Sequence, residues 1–498
     1  MENDFSIYER LAALARSDVY PYHMPGHKRN AGAGLPEGFA QLDITEIEPF
    51  DNLHHAQGIL KEAMEEAAEL YGADRTYFLV NGSTCGVLAA VSAAAAEGDT
   101  LILARNAHLS AYHGVYLRRC LMVPLYPERL AEYGVYGAVG ADEVERLLRR
   151  HPEAKAVFIT SPTYDGFVSD VEKLAEVVHA YGKILIVDEA HGAHFGLDER
   201  MPPSSLDCGA DLVIHSLHKT LPSLTQTALL HVKGSRVDCG RLERFLRIYQ
   251  SSSPSYLLMG SIDLCIRQMR KHRREWFDSF FERRGKLMKE LSTLKVLQVV
   301  PDGPVTEAAY AGSALKYYDP SKLMIFCDRV GINGVELQRI LLEDYHLQME
   351  MAGANYVLAI LTVMDTREGF MRLAAALKEI DAAMLSKEQK AGPVTGIGLT
   401  CQDEFLSAVR SVQVQEERIP LAQAMDAAGT EKVALGCAEG RIITEFVYAY
   451  PPGISVILPG ERMTEQMIAL LTGYRERGMT VQGPEDEALH TIRCIKEG

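Results

Sequence analysis

The chain has 498 residues, 47% of them apolar and 24% charged, with a formal net charge of -16. That length exceeds one ordinary domain, and the composition is that of a globular protein rather than a disordered or fibrous one. The acidic balance excludes nucleic acid or an anionic membrane surface as the main partner, but leaves room for a local basic site that takes phosphate.

Met1 leads directly into polar ENDF, with no basic segment followed by an apolar one, so no signal peptide is expected. Residues 1–55 read as an N-terminal arm: one short amphipathic helix, IYERLAALAR, then the Gly- and Pro-rich YPYHMPGHKRNAGAGLPEGF. Such an arm could pack on a neighbouring subunit and bring His23, His27 or Lys28 near a site. The pattern from Asn52 to Gly72 predicts a helix with a glycine stop. The strand TYFLV follows, then NGSTCG at 81–86, then the small-residue helix VLAAVSAAAAEG. A strand, a Gly-Ser-Thr turn and a helix together aim backbone N–H groups and two hydroxyls at an anion. The turn is neither a Walker A loop nor a GxGxxG fingerprint.

Strand and helix patterns then alternate for some 150 residues, through TLILARNAH, CLMVPLYP, AVFITSPTYDG, KILIVDEAHGAHFG and DLVIHSLHKTLPSLTQTALL at 211–230. Alternation of this kind predicts a mainly parallel sheet covered on both faces, with its chemistry at the carboxyl ends of the strands. Beyond residue 240 the pattern is helical, interrupted by SSSPSYLLMG. A smaller α/β region follows, with strand-like LKVLQVV, KLMIFCD, LQMEMA and YVLAILTV, then SKEQKAGPVTG as a linker. The expected organisation is an arm at 1–55, a large domain at 56–290, a small α/β domain at 291–390 and a C-terminal domain at 391–498. No apolar run is long enough to span a bilayer. The nine cysteines form no CxxC pair, so neither zinc nor a disulfide framework is indicated and no metal is assigned. A soluble, cytoplasmic protein is expected.

The strand ends carry the chemistry. Asp188 closes the apolar run ILIV, so its buried carboxylate needs a cationic or hydrogen-bonding partner, and a protonated heterocyclic nitrogen would serve. His108 could stack its ring on a planar ligand. Ser83, Thr84, Ser216 and His218 could surround a phosphate, and Lys219 could form an imine. Imine lysine, pyridinium partner, ring stacker and phosphate cup together describe a pyridoxal 5'-phosphate (PLP) site.

These residues also resemble those of the Orn/Lys/Arg decarboxylases, PLP enzymes of fold type I. The resemblance runs through HMPGHK, DITEIEPFDNL, NGST, RNAH, SPTYDG, DEAHG and YPPG…LPGE, and is most specific in SLHKTLPSLTQTA. It implies an aspartate-aminotransferase-like large domain, a smaller α/β domain and an extra C-terminal domain. It implies that Lys219 carries PLP as an imine, that Asp188 pairs with the pyridine nitrogen and that His108 stacks on the ring. Ser83, Thr84, Ser216 and His218 would hold the phosphate. Where the large enterobacterial members have a tryptophan this chain departs from the pattern with His191, which stands as a further candidate for cofactor contact. The implied reaction is decarboxylation of a basic amino acid: arginine to agmatine, otherwise lysine to cadaverine or ornithine to putrescine. Either Lys219, His108 or His191 would reprotonate the substrate carbon. The family's sites lie at subunit interfaces, which implies a homodimer or higher homo-oligomer, with Ser251, Ser252 or Ser253 reaching the partner's phosphate. Glu46, Glu48 and Asp51 are candidates for the substrate's distal cation. DEAHGAHFG is also similar to a segment of α-oxoamine synthases, so the competing reading is a synthase or an aminotransferase of the same fold type.

Overall fold

The computed structural model describes residues 6–30, 32, 34–36, 38–130, 133–300, 303–304, 313–327, 332–391, 419–449, 454–476 and 481–496. The chain divides into two compact units: Met1–Ala96 with Ala154–Ser161 and Val171–Phe277, and Glu97–Glu153 with Pro162–Asp170 and Asp278–Gly498.

The first unit is built on strands rich in β-branched and aliphatic residues. In hydrogen-bonded order they are Arg75–Leu79, Ala228–Val232, Leu212–Ser216, Ile184–Asp188 and Ala156–Thr160. The last three run parallel, as the alternating pattern predicts. Ala228–Val232, which follows the lysine stretch with no change of sequence pattern to mark it, is antiparallel to both of its neighbours. Two antiparallel pairings in succession leave Arg75–Leu79 pointing the same way as Leu212–Ser216. Leu79, Ala228 and Ser216 therefore stand in one row, while Asp188 pairs with Ile214 on one side and Thr160 on the other. Register alone thus gathers the carboxyl ends of four strands on one edge.

Helices cover these strands. Gly82–Ala94 packs on Arg75–Leu79, Leu212–Ser216 and Ala228–Val232, with Val171–Ala180 on Ile184–Asp188. Gly86 permits the first of these contacts: a Cβ there would meet Leu79 Cδ1 at 2.6 Å and Ile214 Cγ2 at 3.4 Å. The predicted helix before Arg75–Leu79 is shorter than its pattern. Asn52 caps a single 3-10 turn, and the α-helix proper is Ile59–Tyr71, closed by left-handed Gly72. The first helix, Ile7–Arg16, begins in a capping box of Ser6 and Glu9. It docks on the long helix Tyr256–Leu291, where buried Asp263 accepts the Ile7 N–H at 2.7 Å.

In the second unit Thr100–Ala104 and Leu121–Leu125 pair in parallel. Lys322–Phe326 and Tyr356–Ile360 form an antiparallel pair, flanked by the short strands Gln298–Val299 and Met351–Ala352. The expected strands LKVLQVV and LQMEMA thus shrink to two residues each. The first part of the expected linker, SKEQKA, is helical and ends Arg367–Ala391. Residues 392–396 of that linker, and the YPPG at 450–453, lie outside the described residues. The C-terminal stretch has its own core, including Ile443, Val447, Ile457, Met467, Leu471 and Ile492. Among the described residues no helix is long and apolar enough to cross a membrane.

Gly86→Val should push the helix Gly82–Ala94 off the strands and cost about 1–3 kcal/mol, as overpacking of a filled core does. A urea midpoint equal to that of the unchanged protein would contradict this packing.

Candidate active site

Leu212–Ser216 is buried throughout and gives way at Ser216 to a single helical turn, Leu217–Thr220. The turn is pinned by its apolar side: Leu217 and Thr220 are buried, while His218 and Lys219 are only half-buried. Lys219 Nζ lies 3.0 Å from His191 Nε2, so the lysine and the histidine of DEAH meet across two strand ends.

Asp188 is 4% exposed. The Ala190 N–H reaches its Oδ1 at 3.2 Å. Burial pushes its carboxyl above the usual range, against the opposing pull of Lys219, the Ala190 N–H and His215. A carboxylate raised by desolvation suits a site where a cation will face it.

The lysine stretch is tied to the NGST corner by its own tail. The Gly82 N–H donates to the Gln226 carbonyl at 3.0 Å, and the Gln226 side-chain amide donates to the Val80 carbonyl. Ser83 and Thr84 sit in the first turn of Gly82–Ala94, whose N-cap Asn81 makes no side-chain capping bond. The His218 ring donates from Nδ1 to the Thr227 carbonyl at 2.9 Å. Burial holds the pKa of His218 below the ordinary histidine value; the Thr227 carbonyl opposes this and Lys219 adds to it. Among the described residues the buried hydroxyls of Ser216, Thr160 and Thr220 have no hydrogen-bond partner. Unsatisfied hydroxyls at two strand ends and in the lysine turn fit a polar ligand better than a sealed core, and the residues present therefore suit PLP.

His108 belongs to the second unit. It caps the helix Leu109–Arg118: its Nδ1 accepts the Ser110 N–H at 3.2 Å and lies 2.8 Å from Ser110 Oγ. As the acceptor, Nδ1 is unprotonated and the proton resides on Nε2.

Several residues passed over in the sequence form a buried chain beneath Asp188. Glu189, 1% exposed, accepts from the Ser205 N–H and Oγ and lies 2.7 Å from His215 Nε2. His215 Nδ1 is 3.1 Å from His231 Nε2, and His231 Nδ1 is 2.7 Å from Thr76 Oγ1. Tyr71 packs its ring on both histidines. The available signal was a histidine at a matching place in two apolar runs, LVIHS and ALLHV, diagonal neighbours on paired strands.

Other candidates are placed differently. The Asp51 carboxylate is occupied by the N–H groups of Gln57, Gly58 and Leu60, making it a helix-entry cap rather than an open acidic receptor. Glu46 and Glu48 are exposed, as are Ser251, Ser252 and Ser253. Ser251 N–H donates to Asn81 Oδ1 at 3.4 Å, beside the NGST corner. In the arm, His27 lies 3.2 Å from Asp43, and Lys28 donates to the His23 carbonyl. No group of three or more His, Cys, Asp or Glu among the described residues could hold a metal ion.

The chain as a whole is similar to known proteins. The Orn/Lys/Arg decarboxylase major domain matches residues 6–369, and the C-terminal domain of the same family matches residues 404–488. An arginine decarboxylase of Bacillus subtilis is 32% identical over 100% of this chain and 99% of its own length. A lysine decarboxylase of Pseudomonas aeruginosa is 25% identical over 98% of this chain and 80% of its own. The crystal structure of a Francisella novicida lysine decarboxylase superposes with TM-score 0.83 at 19% identity, covering 99% of this chain and 82% of that one, which is likeness of fold. The match to the major domain alone spans well over half of the sequence. The chain belongs to the Orn/Lys/Arg decarboxylase family, a family of PLP-dependent enzymes of fold type I, and is an amino-acid decarboxylase.

Proposed function

We propose that the protein binds PLP at Lys219 and decarboxylates arginine to agmatine and CO2. The observation that carries the site is the pairing of Lys219 Nζ with His191 Nε2, at 3.0 Å, on the strand edge that ends in buried Asp188. Arginine is favoured over lysine and ornithine because full-length relatives near 32% identity are arginine decarboxylases, whereas the lysine and ornithine decarboxylases matched are 24–25% identical.

Lys219 would hold the cofactor covalently and Asp188 its ring nitrogen, with His108 stacked on the ring. Ser83, Thr84, Ser216 and His218 would hold the phosphate, and His191 would stand beside Lys219. When bound, the cofactor accepts the electron pair left as the bond to CO2 breaks. The chain's own groups do the rest. Asp188, in its buried pocket, keeps a proton fixed on the atom it faces, which matters most when charge develops. Lys219 and His191, already in hydrogen-bond contact, can share a proton between Nζ and Nε2. That pair is the favoured source of the proton that replaces CO2 on the substrate carbon, with His108 as the other candidate. The division into 1–55, 56–290, 291–390 and 391–498, a homodimer and a cytoplasmic location belong to the same reading. None of the eight described cysteines is in a disulfide.

Incubation with arginine, lysine and ornithine together should give agmatine as the main amine by mass spectrometry. Cadaverine or putrescine alone would reject the arginine assignment. Asp188→Ala should lower kcat about 10²- to 10³-fold, in the range seen when one preorganised charge-stabilising group is removed. Near-normal turnover would rule out its pairing with the ring nitrogen.

A pH effect follows from His218. Its Nδ1–H is committed to Thr227, so contact with a phosphate dianion needs a second proton on Nε2, which burial disfavours in the free protein. Phosphate raises the pKa of His218 in the complex, so binding takes up a proton and is strongest at low pH. PLP affinity of the cofactor-free protein should weaken as pH rises above the lowered free-protein value of His218, by up to about tenfold per unit for one proton. The His218→Asn variant should lose this part of the slope; an identical slope would remove His218 from the phosphate site.

A further inference from the structure

A buried ion pair lies just ahead of His108. Arg105 follows the strand Thr100–Ala104 and is 4% exposed. Its guanidinium donates to the Ser455 carbonyl at 2.6 Å, to the Val456 carbonyl at 2.9 Å and to both Glu461 carboxylate oxygens at 3.2 and 3.3 Å. Glu461, 1% exposed, also accepts the Leu458 N–H at 2.9 Å. Every acceptor of this guanidinium among the described residues belongs to the C-terminal stretch, so the side chain at the end of the strand is held by residues some 350 positions away.

The helix that His108 caps is held at other points by the same stretch. Tyr112 donates its hydroxyl to the Arg105 carbonyl at 2.9 Å and couples the first turn of the helix to the ion pair. Phe446 meets the His113 ring edge-on, with centroids 5.4 Å apart. At the far end Asp426 accepts from the Tyr116 hydroxyl and from Arg119, each at 2.8 Å. Buried ion pairs contribute little net stability against apolar packing of the same volume, and their directional bonds are better suited to fixing one geometry. Arg105 also has the planar fork that holds several acceptors at once, which lysine lacks.

We propose that Arg105 and Glu461 are positioning residues, through which the C-terminal domain sets the orientation of His108. The inference rests on the reading of His108 as the ring-stacking residue, and it gives the C-terminal domain a part in the reaction. The ion pair fixes the strand end, Tyr112 passes that constraint to the helix, and the Ser110 cap orients the imidazole. Arg105 and Glu461 act only through His108.

The test uses the full-length protein with Glu461→Gln, which keeps an acceptor for Leu458 but removes the charge facing Arg105. Without cofactor, amide exchange across residues 105–118 should accelerate by about tenfold while residues 211–232 stay protected. With cofactor, kcat should fall about tenfold and KM change less than about twofold, as expected when a reacting geometry is loosened. Unchanged exchange at 105–118, or faster exchange with unchanged kcat, would overturn the proposal. Should Glu461→Gln fail to fold, Asp426→Asn at the exposed end of the same helix decides: faster exchange at 109–119 with lowered kcat supports it, and no change in either overturns it. His108→Ala separates the two readings, since full activity in that variant would refute ring stacking whatever the exchange data give.

Discussion

A carboxylate at the end of an all-apolar strand must be answered by positive charge or by hydrogen-bond donors. In this protein that requirement falls on Asp188, and the first unit is arranged to meet it. Lys219 supplies the nearby cation, the Ala190 amide a bond, and the buried chain behind them a fixed scaffold. Desolvation still dominates, so the free protein holds Asp188 in a costly state that a protonated ring nitrogen would relieve. Stability is surrendered at the place where the proposed reaction would use stored polarity.

The chain from Glu189 through His215 and His231 to Thr76 explains how so polar a corner stays in place. His231 lies within hydrogen-bond distance of the Thr76 hydroxyl and of His215, and His215 within hydrogen-bond distance of Glu189. The two serine bonds at Ser205 complete the Glu189 carboxylate. A fully satisfied buried network of this kind rigidifies the backbone it spans. Here it spans the turn after Asp188 and the strand that leads to Lys219, so these two side chains inherit a common frame. The second unit meets a comparable demand differently. There one buried guanidinium and one carboxylate fix the strand end ahead of His108, and the bonds come from the far end of the chain.

The parallel strands, the lysine turn and the NGST corner were legible because each is local: an apolar β-branched run, then glycine, hydroxyls or lysine within a few residues. The antiparallel Ala228–Val232 strand was hidden in the lysine stretch, since TALL carries no alternation to set it apart. Asp51 was misread because an acidic residue in an irregular loop looks the same whether it faces solvent or caps a helix that starts several residues later. Short strands such as Gln298–Val299 were overestimated because an apolar run fixes burial but not how many residues find a pairing partner.

The sequence by itself determined the kind of protein and singled out the groups proposed to act in it. Motif residues such as Lys219, Asp188, His191 and the Ser-Thr pair at 83–84 are recognised by type and by short-range spacing. What only the tertiary structure decided is which distant residues serve them. The contact of Lys219 with His191, the tie between Gln226 and the Gly82 corner, the paired histidines under Asp188 and the grip of Glu461 on Arg105 all join segments far apart in sequence. Such partners are selected by strand register and by the demand that buried charges be satisfied, and neither leaves a mark on any single stretch of the chain.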